Sequence, residues 1–588
     1  ITWSQVYVDK VSVANNIDWN DFVNKNANDN RTASIDIYNF YGSYGYGENL
    51  FAGIYNSDIS SLEGNNCSIS NMNINSYKTN GIVGNYSPDY GGMIRSVAGN
   101  MSISNLVVNN AQVSSPYATG CLIGKSENSS CVVSMKNVTI NGKTSVIADY
   151  NGGNSGGLIG TANGKISVNH CRVYGNNISI SSMLNAGGLI GTYEGLEFTV
   201  ADCSSSASVQ TTASGGSGTC IGGLIGSMNC LGTAKVTDSH VSCYDDSSSV
   251  LISSEGYYGS NAGGLIAKAT GNLELSGCYT KGSDFNVYSY YGNAGGLLGS
   301  FDGTYILINN CSASVYSQAE GYSQYGSYAG GLVGYVKCTD IVNSSIQNCN
   351  AGGHMSGGVY GTGTDRTTQG RYNVYITAQG QNAGGFIGTL DSTVKLSNCF
   401  STCSVYSSSI YSFVGGLVGN ISKGAAMTNC YAVGLTNGGT GKVGAFIGCN
   451  AGTTSVSNCY CVTTGYNSGL SAVGTESHDQ PTGTINSGIV TGITGSKTTP
   501  FDTAKTGQTY PYCNWTTLKN PETAVSAITY YGDWPSTSYA MTGAEAAAGD
   551  VQIYNNIDAN TSTEITGSNV LIATLTGGGI SIYTAYNN

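Results

Sequence analysis

The sequence predicts an all-β chain wound as a parallel β-helix. This β-solenoid has about eleven or more coils, each with roughly three short strands. Three observations carry the prediction. One apolar, glycine-flanked octapeptide recurs along the chain. Apolar residues alternate with period two on either side of a recurring Ser/Thr-Asn-Cys. The composition favours short strands and frequent turns: of 588 residues 85 are glycine and 42 tyrosine, while seven are proline and 10% are charged.

The octapeptide reads "NAGGLIGT" from Asn185, "NSGGLIGT" from Asn154, "NAGGLIAK" from Asn261, "NAGGLLGS" from Asn293 and "NAGGFIGT" from Asn382. Its second glycine, or the residue in that place, anchors the array at Gly92, Cys121, Gly157, Gly188, Gly223, Gly264, Gly296, Gly331, Gly385, Gly416 and Ala445. Successive spacings are 29, 36, 31, 35, 41, 32, 35, 54, 31 and 29 residues. A loose period near 30 with expandable gaps is the mark of a solenoid whose insertions fall in loops. The core "GGLIG" reads as the first strand of each coil. Its glycines suit corners where a Cβ would crowd the next coil.

A second strand follows. In "ISVNHCRVYG", "VKLSNCFSTC", "AAMTNCYAVG" and "TSVSNCYCVT" the cysteine lies 14 positions after Gly157, Gly385, Gly416 and Ala445. Val394 and Leu396 alternate before it, and Cys399, Ser401, Cys403 and Val405 alternate after it. Period two means strand. The step of three from Leu396 to Cys399 means that the strand ends at Ser-Asn, a corner turns, and a third strand starts at the cysteine. Coils would stack at roughly 4.8 Å. One coil cannot bury its apolar face alone, so like positions stack into columns.

The "GGLIG…SNCYA" pattern resembles the GLUG-motif repeats of bacterial and archaeal secreted surface proteins over about residues 50–465. The stretch Leu50 to Ser76 is similar to the first coil such arrays carry. The resemblance implies an extracellular β-solenoid of adhesins and envelope layers, with no catalytic site. The Tyr-rich, Lys-poor composition is further similar to that of a proteinaceous sheath or surface layer, such as encloses some methanogenic archaea.

The formal net charge is −12, and no basic face is visible, which argues against a nucleic-acid partner. No apolar run of about 18 residues occurs, so no membrane span is expected. The chain starts at Ile1; a removed signal peptide or a trimmed chain would each produce that. Sequons at Asn66, Asn100, Asn128, Asn137, Asn177, Asn310, Asn343, Asn420, Asn514 and Asn560 permit glycosylation without showing it.

The corner position is occupied by Met72, Leu106, Val138, Cys171, Cys203, Ser239, Cys278, Cys311, Cys349, Cys399, Cys430 and Cys459. A slot that accepts Met, Leu, Val and Cys is a buried apolar column in which Cys acts as a small hydrophobe. The alternative is a ladder of disulfides between coils. Side chains stacked in register point the same way, which makes that bond awkward. Elsewhere Cys121 with Cys131, and Cys220 with Cys230, are placed to close local loops, and Cys513 stands apart. Nineteen cysteines leave one free or paired with another chain.

No catalytic residue, metal site or cofactor is expected. No CxxC or HxxxH spacing suits zinc. Asp245-Asp246 is the nearest acidic pair, and it reads as a turn, not the paired carboxylates of a glycosidase. His170, His240, His354 and His478 are far apart, and the first two are corner residues. Tyrosines crowd the loops before the octapeptide, as in "EGYYGSNAGG", "VYSYYGNAGG", "GYSQYGSYAGG" and "YSSSIYSFVGG". They suit self-association or sugar stacking as well as plain loop cover. The expected partner is the chain itself, as a homopolymer, with carbohydrate as the second candidate.

Three regions follow: an N-terminal cap over 1–49, the solenoid over 50–465, and a C-terminal β-rich cap or assembly region over 466–588. Trp19, Phe22 and Val23 have helix-like spacing in the first. The last ends in the uncharged "SNVLIATLTGGGISIYTAYNN", which reads as a strand pair. The expected function is a structural extracellular protein of a cell sheath or surface layer. An adhesin or carbohydrate-binding module is the alternative.

Overall fold

The computed structural model describes residues 90–487, with gaps at 212–217, 246, 257, 321–326, 353–374, 379–381, 408, 410–411, 433, 439–441, 462, 464–466 and 468. Outside that range it describes 10–12, 16–18, 40–42, 51–54, 60–75 and five strands between 514 and 584. Every named element among these residues is a β-strand. The strands stack in parallel as a β-solenoid, as the repeat predicts.

One coil illustrates the rest. Asn154–Gly156 forms a short strand, and Gly157 and Leu158 turn a corner. Ile159–Asn169 runs to the next corner at His170 and Cys171, and Arg172–Val173 and Ile178–Ser182 complete the turn. Asn154, Ser155 and Gly156 then lie beside Asn185, Ala186 and Gly187 of the following coil.

The corner inside "GGLIG" corrects the reading of that stretch as one strand. Two backbone N–H groups, of Leu158 and Ile159, converge on the Leu189 carbonyl at 2.8 and 3.0 Å. That arrangement bends the chain. It also brings backbone so close that a Cβ on Gly188 would lie 1.9 Å from the Gly223 oxygen. A side chain at Gly188 would force the two coils apart.

The chain divides into two compact units. The first comprises 1–274, 279–306 and 318–327. Its core is built of in-register columns: Ile94, Ile123, Ile159, Ile190 and Ile225 stack in successive coils, each at most 1% exposed. Burying such a side chain stabilises by about 1.5–3 kcal/mol. Parallel pairing in this unit includes Lys10–Ser12 against Ser61–Glu63, and Ile17–Asp18 against Ile69–Ser70. The helix expected around Trp19, Phe22 and Val23 lies outside the described residues.

The second unit comprises 275–278, 307–317 and 328–588. Val333, Ile387, Val418 and Ile447 form the equivalent column. Parallel pairing runs past residue 465, with Cys459–Cys461 alongside Ile485–Ser487. Farther on, Leu571–Thr576 and Gly579–Thr584 pair antiparallel.

Candidate functional site

The Ser-Asn-Cys corner is made by one left-handed residue. In the first unit Asn71, Asn105, Asn137, His170, Asp202 and Asp238 take it; in the second, Gly277, Asn310, Asn348, Asn398, Asn429 and Asn458. Their φ angles fall between +48° and +64°. Asn, Asp and Gly tolerate this region best, because other side chains crowd the following carbonyl. The amides also bridge coils. Asn398 Nδ2 donates to Asn348 Oδ1 at 2.9 Å, Asn429 to Asn398 at 3.1 Å, and Asn458 to Asn429 at 2.7 Å.

Asn398→Ala therefore loses two amide bonds and strains the backbone, and should cost about 2–3 kcal/mol. Asn398→Gly keeps the turn and should cost less. Urea midpoints of the two variants check this; equal losses would deny the backbone contribution.

The column after the turn is fully buried. Met72, Leu106, Val138, Cys171, Cys203, Ser239, Cys278, Cys311, Cys349, Cys399, Cys430 and Cys459 are each 0% exposed. The cysteines do more than fill space. The Cys171 N–H donates to Cys203 Sγ at 3.4 Å, and the Cys203 N–H to Ser239 Oγ at 3.1 Å. Each side chain also lies within reach of the carbonyl two residues back, as at Cys349 to Gln347 O (3.0 Å) and Ser239 to Thr237 O (2.8 Å). A buried corner N–H needs an acceptor, and a small side chain with lone pairs supplies one. Sequence reasoning missed this role, although Ser239 in an apolar column was a signal of it.

The loop-closing disulfides are corrected. No disulfide joins any of the 18 cysteines among the described residues. Cys131 reaches the Val97 carbonyl at 3.1 Å, Cys220 the Gly218 carbonyl at 3.4 Å and Cys230 the Leu196 carbonyl at 3.7 Å. Each thiol is thus engaged with nearby backbone instead of its suggested partner. Burial pushes Cys121 up to about 12 and Cys220 up to about 11, which keeps both protonated. Cys513 lies outside the described residues.

The octapeptide has a polar brace. Its Asn and its Thr, seven residues apart, meet across the corner: Asn154 Nδ2 to Thr161 Oγ1 at 3.3 Å, Asn185 to Thr192 at 3.1 Å and Asn382 to Thr389 at 2.9 Å. Asn185 Nδ2 also donates to Asn154 Oδ1 at 2.9 Å, tying coil to coil.

Titratable residues are scattered. Among the described residues no group of three or more His, Cys, Asp or Glu is placed to hold a metal. Asp245 is an exposed turn residue that accepts from Ser247 N–H and Oγ; Asp246 and His354 lie outside the described residues. His170 Nδ1 bonds the Asp202 carboxylate, which also meets Arg172 at 3.0 Å. His240 is 5% exposed and stacks on Tyr279, with ring centroids 4.5 Å apart and planes 4° apart.

One outward-facing feature of the first unit is aromatic, beside exposed aliphatic residues such as Leu196 and Leu231. Tyr117, Tyr150, Tyr258 and Tyr290 are 37%, 55%, 51% and 37% exposed, and each precedes an octapeptide strand. Tyr117 meets Tyr150 edge-on at 5.0 Å, and Tyr290 meets Tyr291 at 4.3 Å. In the second unit Tyr328 stacks on Tyr335 at 5.5 Å. Of the sequons, Asn66, Asn100, Asn128, Asn137, Asn177 and Asn343 are exposed, whereas Asn310 and Asn420 are half-buried. Asn560 lies outside the described residues, and Asn514 falls in the strand Asn514–Trp515. No helix among the described residues is long and apolar enough to cross a membrane.

No protein-family model, curated protein or solved structure matches the chain.

Proposed function

We propose that this chain is an extracellular structural protein that self-assembles into a cell sheath or surface layer. The observation that carries this reading is the exposed tyrosine flank on a stack of in-register coils. Tyrosine supplies broad contact area at low entropic cost, which suits repeated self-contact. The coil columns, the Asn ladder and the N–H-to-sulfur bonds supply stiffness along the stack. The resemblance to GLUG-repeat surface proteins supports the same setting. No catalytic group is assigned. The second reading is an adhesin or carbohydrate-binding surface module, favoured by the same rings, since a sugar face also stacks on tyrosine.

Electron microscopy of the native material, with and without reductant, tests the proposal. Ordered tubes, hoops or sheets are expected, and their order should survive reduction because no disulfide joins the cysteines of the described residues. Order lost on reduction would assign the stiffness to intermolecular disulfides. Isolated particles in both conditions would sink self-assembly and leave the adhesin.

A further inference from the structure

We propose that the stacked thiols of the second unit form a linear site for monovalent soft metal cations, of the copper(I) or silver(I) type. Each cation sits between the sulfurs of successive coils. The site consists of Cys278, Cys311, Cys349, Cys399, Cys430 and Cys459, all 0% exposed. Their backbones are tied coil to coil, because the N–H after each cysteine donates to the carbonyl of the cysteine one coil before: Ser312 to Cys278 at 3.0 Å, Asn350 to Cys311, Phe400 to Cys349 and Tyr431 to Cys399 at 3.1 Å, and Tyr460 to Cys430 at 2.9 Å. Six sulfurs therefore stand in a single file inside the core.

The arrangement selects the metal. A file offers each cation two sulfurs and no third ligand, in keeping with the absence of larger ligand groups among the described residues. Tetrahedral zinc has no seat there. Thiolate sulfur is soft and favours copper(I). The length also fits. Two metal–sulfur bonds of about 2.3 Å, the zinc–thiolate value, span ~4.6 Å end to end. Successive coils rise by roughly 4.8 Å.

Charge decides the valence. A monovalent cation takes the place of one thiol proton: the S–H bond breaks, a sulfur–metal bond forms, the second sulfur coordinates through its lone pair, and the proton leaves to solvent. The buried file stays neutral. A divalent cation stays neutral only by displacing both protons of a pair, so six thiols could seat such ions in alternate gaps but not in all five without a buried positive charge, which is costly. No oxidant or reductant is needed. Because the file is sealed, loading accompanies folding.

The test uses the full chain, reduced and free of oxygen. It is refolded from urea with silver(I) and, separately, copper(I), and then desalted. Expected are retained metal by mass spectrometry, one proton released per cation and a thiolate-to-metal absorption band in the ultraviolet. Six thiols give five gaps, and Cys349→Ser with Cys399→Ser leaves two of them (Cys278 with Cys311, Cys430 with Cys459), so retention should fall by more than half. Serine already occupies the column at Ser239, so the double variant should fold; Cys399→Ser alone, which removes two gaps, serves if it does not. Absence of retained metal, or retention unchanged in either variant, overturns the proposal. So does recovery of these cysteines as disulfides from the native protein.

Discussion

Replacing Gly188 with valine will break the corner of its coil and destabilise the first unit by about 3 kcal/mol or more. The new Cβ alone would stand 1.9 Å from the Gly223 oxygen and 2.3 Å from Ser205 Oγ. One neighbour is backbone and cannot rotate away. The other belongs to Ser205, which is 0% exposed and lies beside Val241 of the next coil. Relief therefore requires coils to separate, which breaks the Leu189 and Leu224 hydrogen bonds that link them. Gly99→Ala is the control. A Cβ there meets no heavy atom within 4 Å, so its effect should stay within about 0.5 kcal/mol. Amide exchange should show protection lost from Asn185 to Thr192 and from the coils on either side, since each coil leans on its neighbours. A Gly188→Val chain with the parent's urea midpoint and exchange pattern would refute this account of the octapeptide.

Acid should weaken the first unit through His240. Burial is the main cause that lowers its pKa to about 3, and the positive charge of Arg172 adds to it, against an opposing contribution from Asp202. Its Nδ1 finds no partner among the described residues. The folded state therefore holds the neutral imidazole, while the unfolded chain binds a proton near pH 6.5. The associated stability is complete above pH 6.5 and is lost as pH falls toward 3. The slope is ~1.4 kcal/mol per pH unit. His240→Phe keeps a flat ring against Tyr279 and removes the titration. The stability difference between parent and variant should be constant above pH 7 and shift by about 3 kcal/mol, in the variant's favour, by pH 4. Denaturant titrations across that range measure it. A difference that does not change with pH would remove His240 from the acid response.

The repeat itself determined a great deal. The 29-to-36-residue spacing of most anchors, the alternation around Val394 and Leu396, and the step of three at Cys399 together specify parallel coils with a corner at Ser-Asn. These signals are local. Side-chain alternation and left-handed turn residues act within a few positions, so they can be read from one strand of text. The same locality explains the corner column. Met72, Val138 and Cys399 share a slot because each points into the core wherever its own coil lies.

Tertiary structure alone decided three things. It split "GGLIG" at Gly188, because the constraint there is a carbonyl at Gly223, 35 residues away. It gave the column cysteines a hydrogen-bonding role, because the N–H of Cys171 meets a sulfur at Cys203, one coil on. It set Cys131, Cys220 and Cys230 against nearby carbonyls instead of one another, because sequence proximity does not fix where a side chain points. In a solenoid the repeat dictates the shape of each coil. What one coil does to the next depends on contacts of a few ångströms between segments some thirty residues apart, and no local pattern records those.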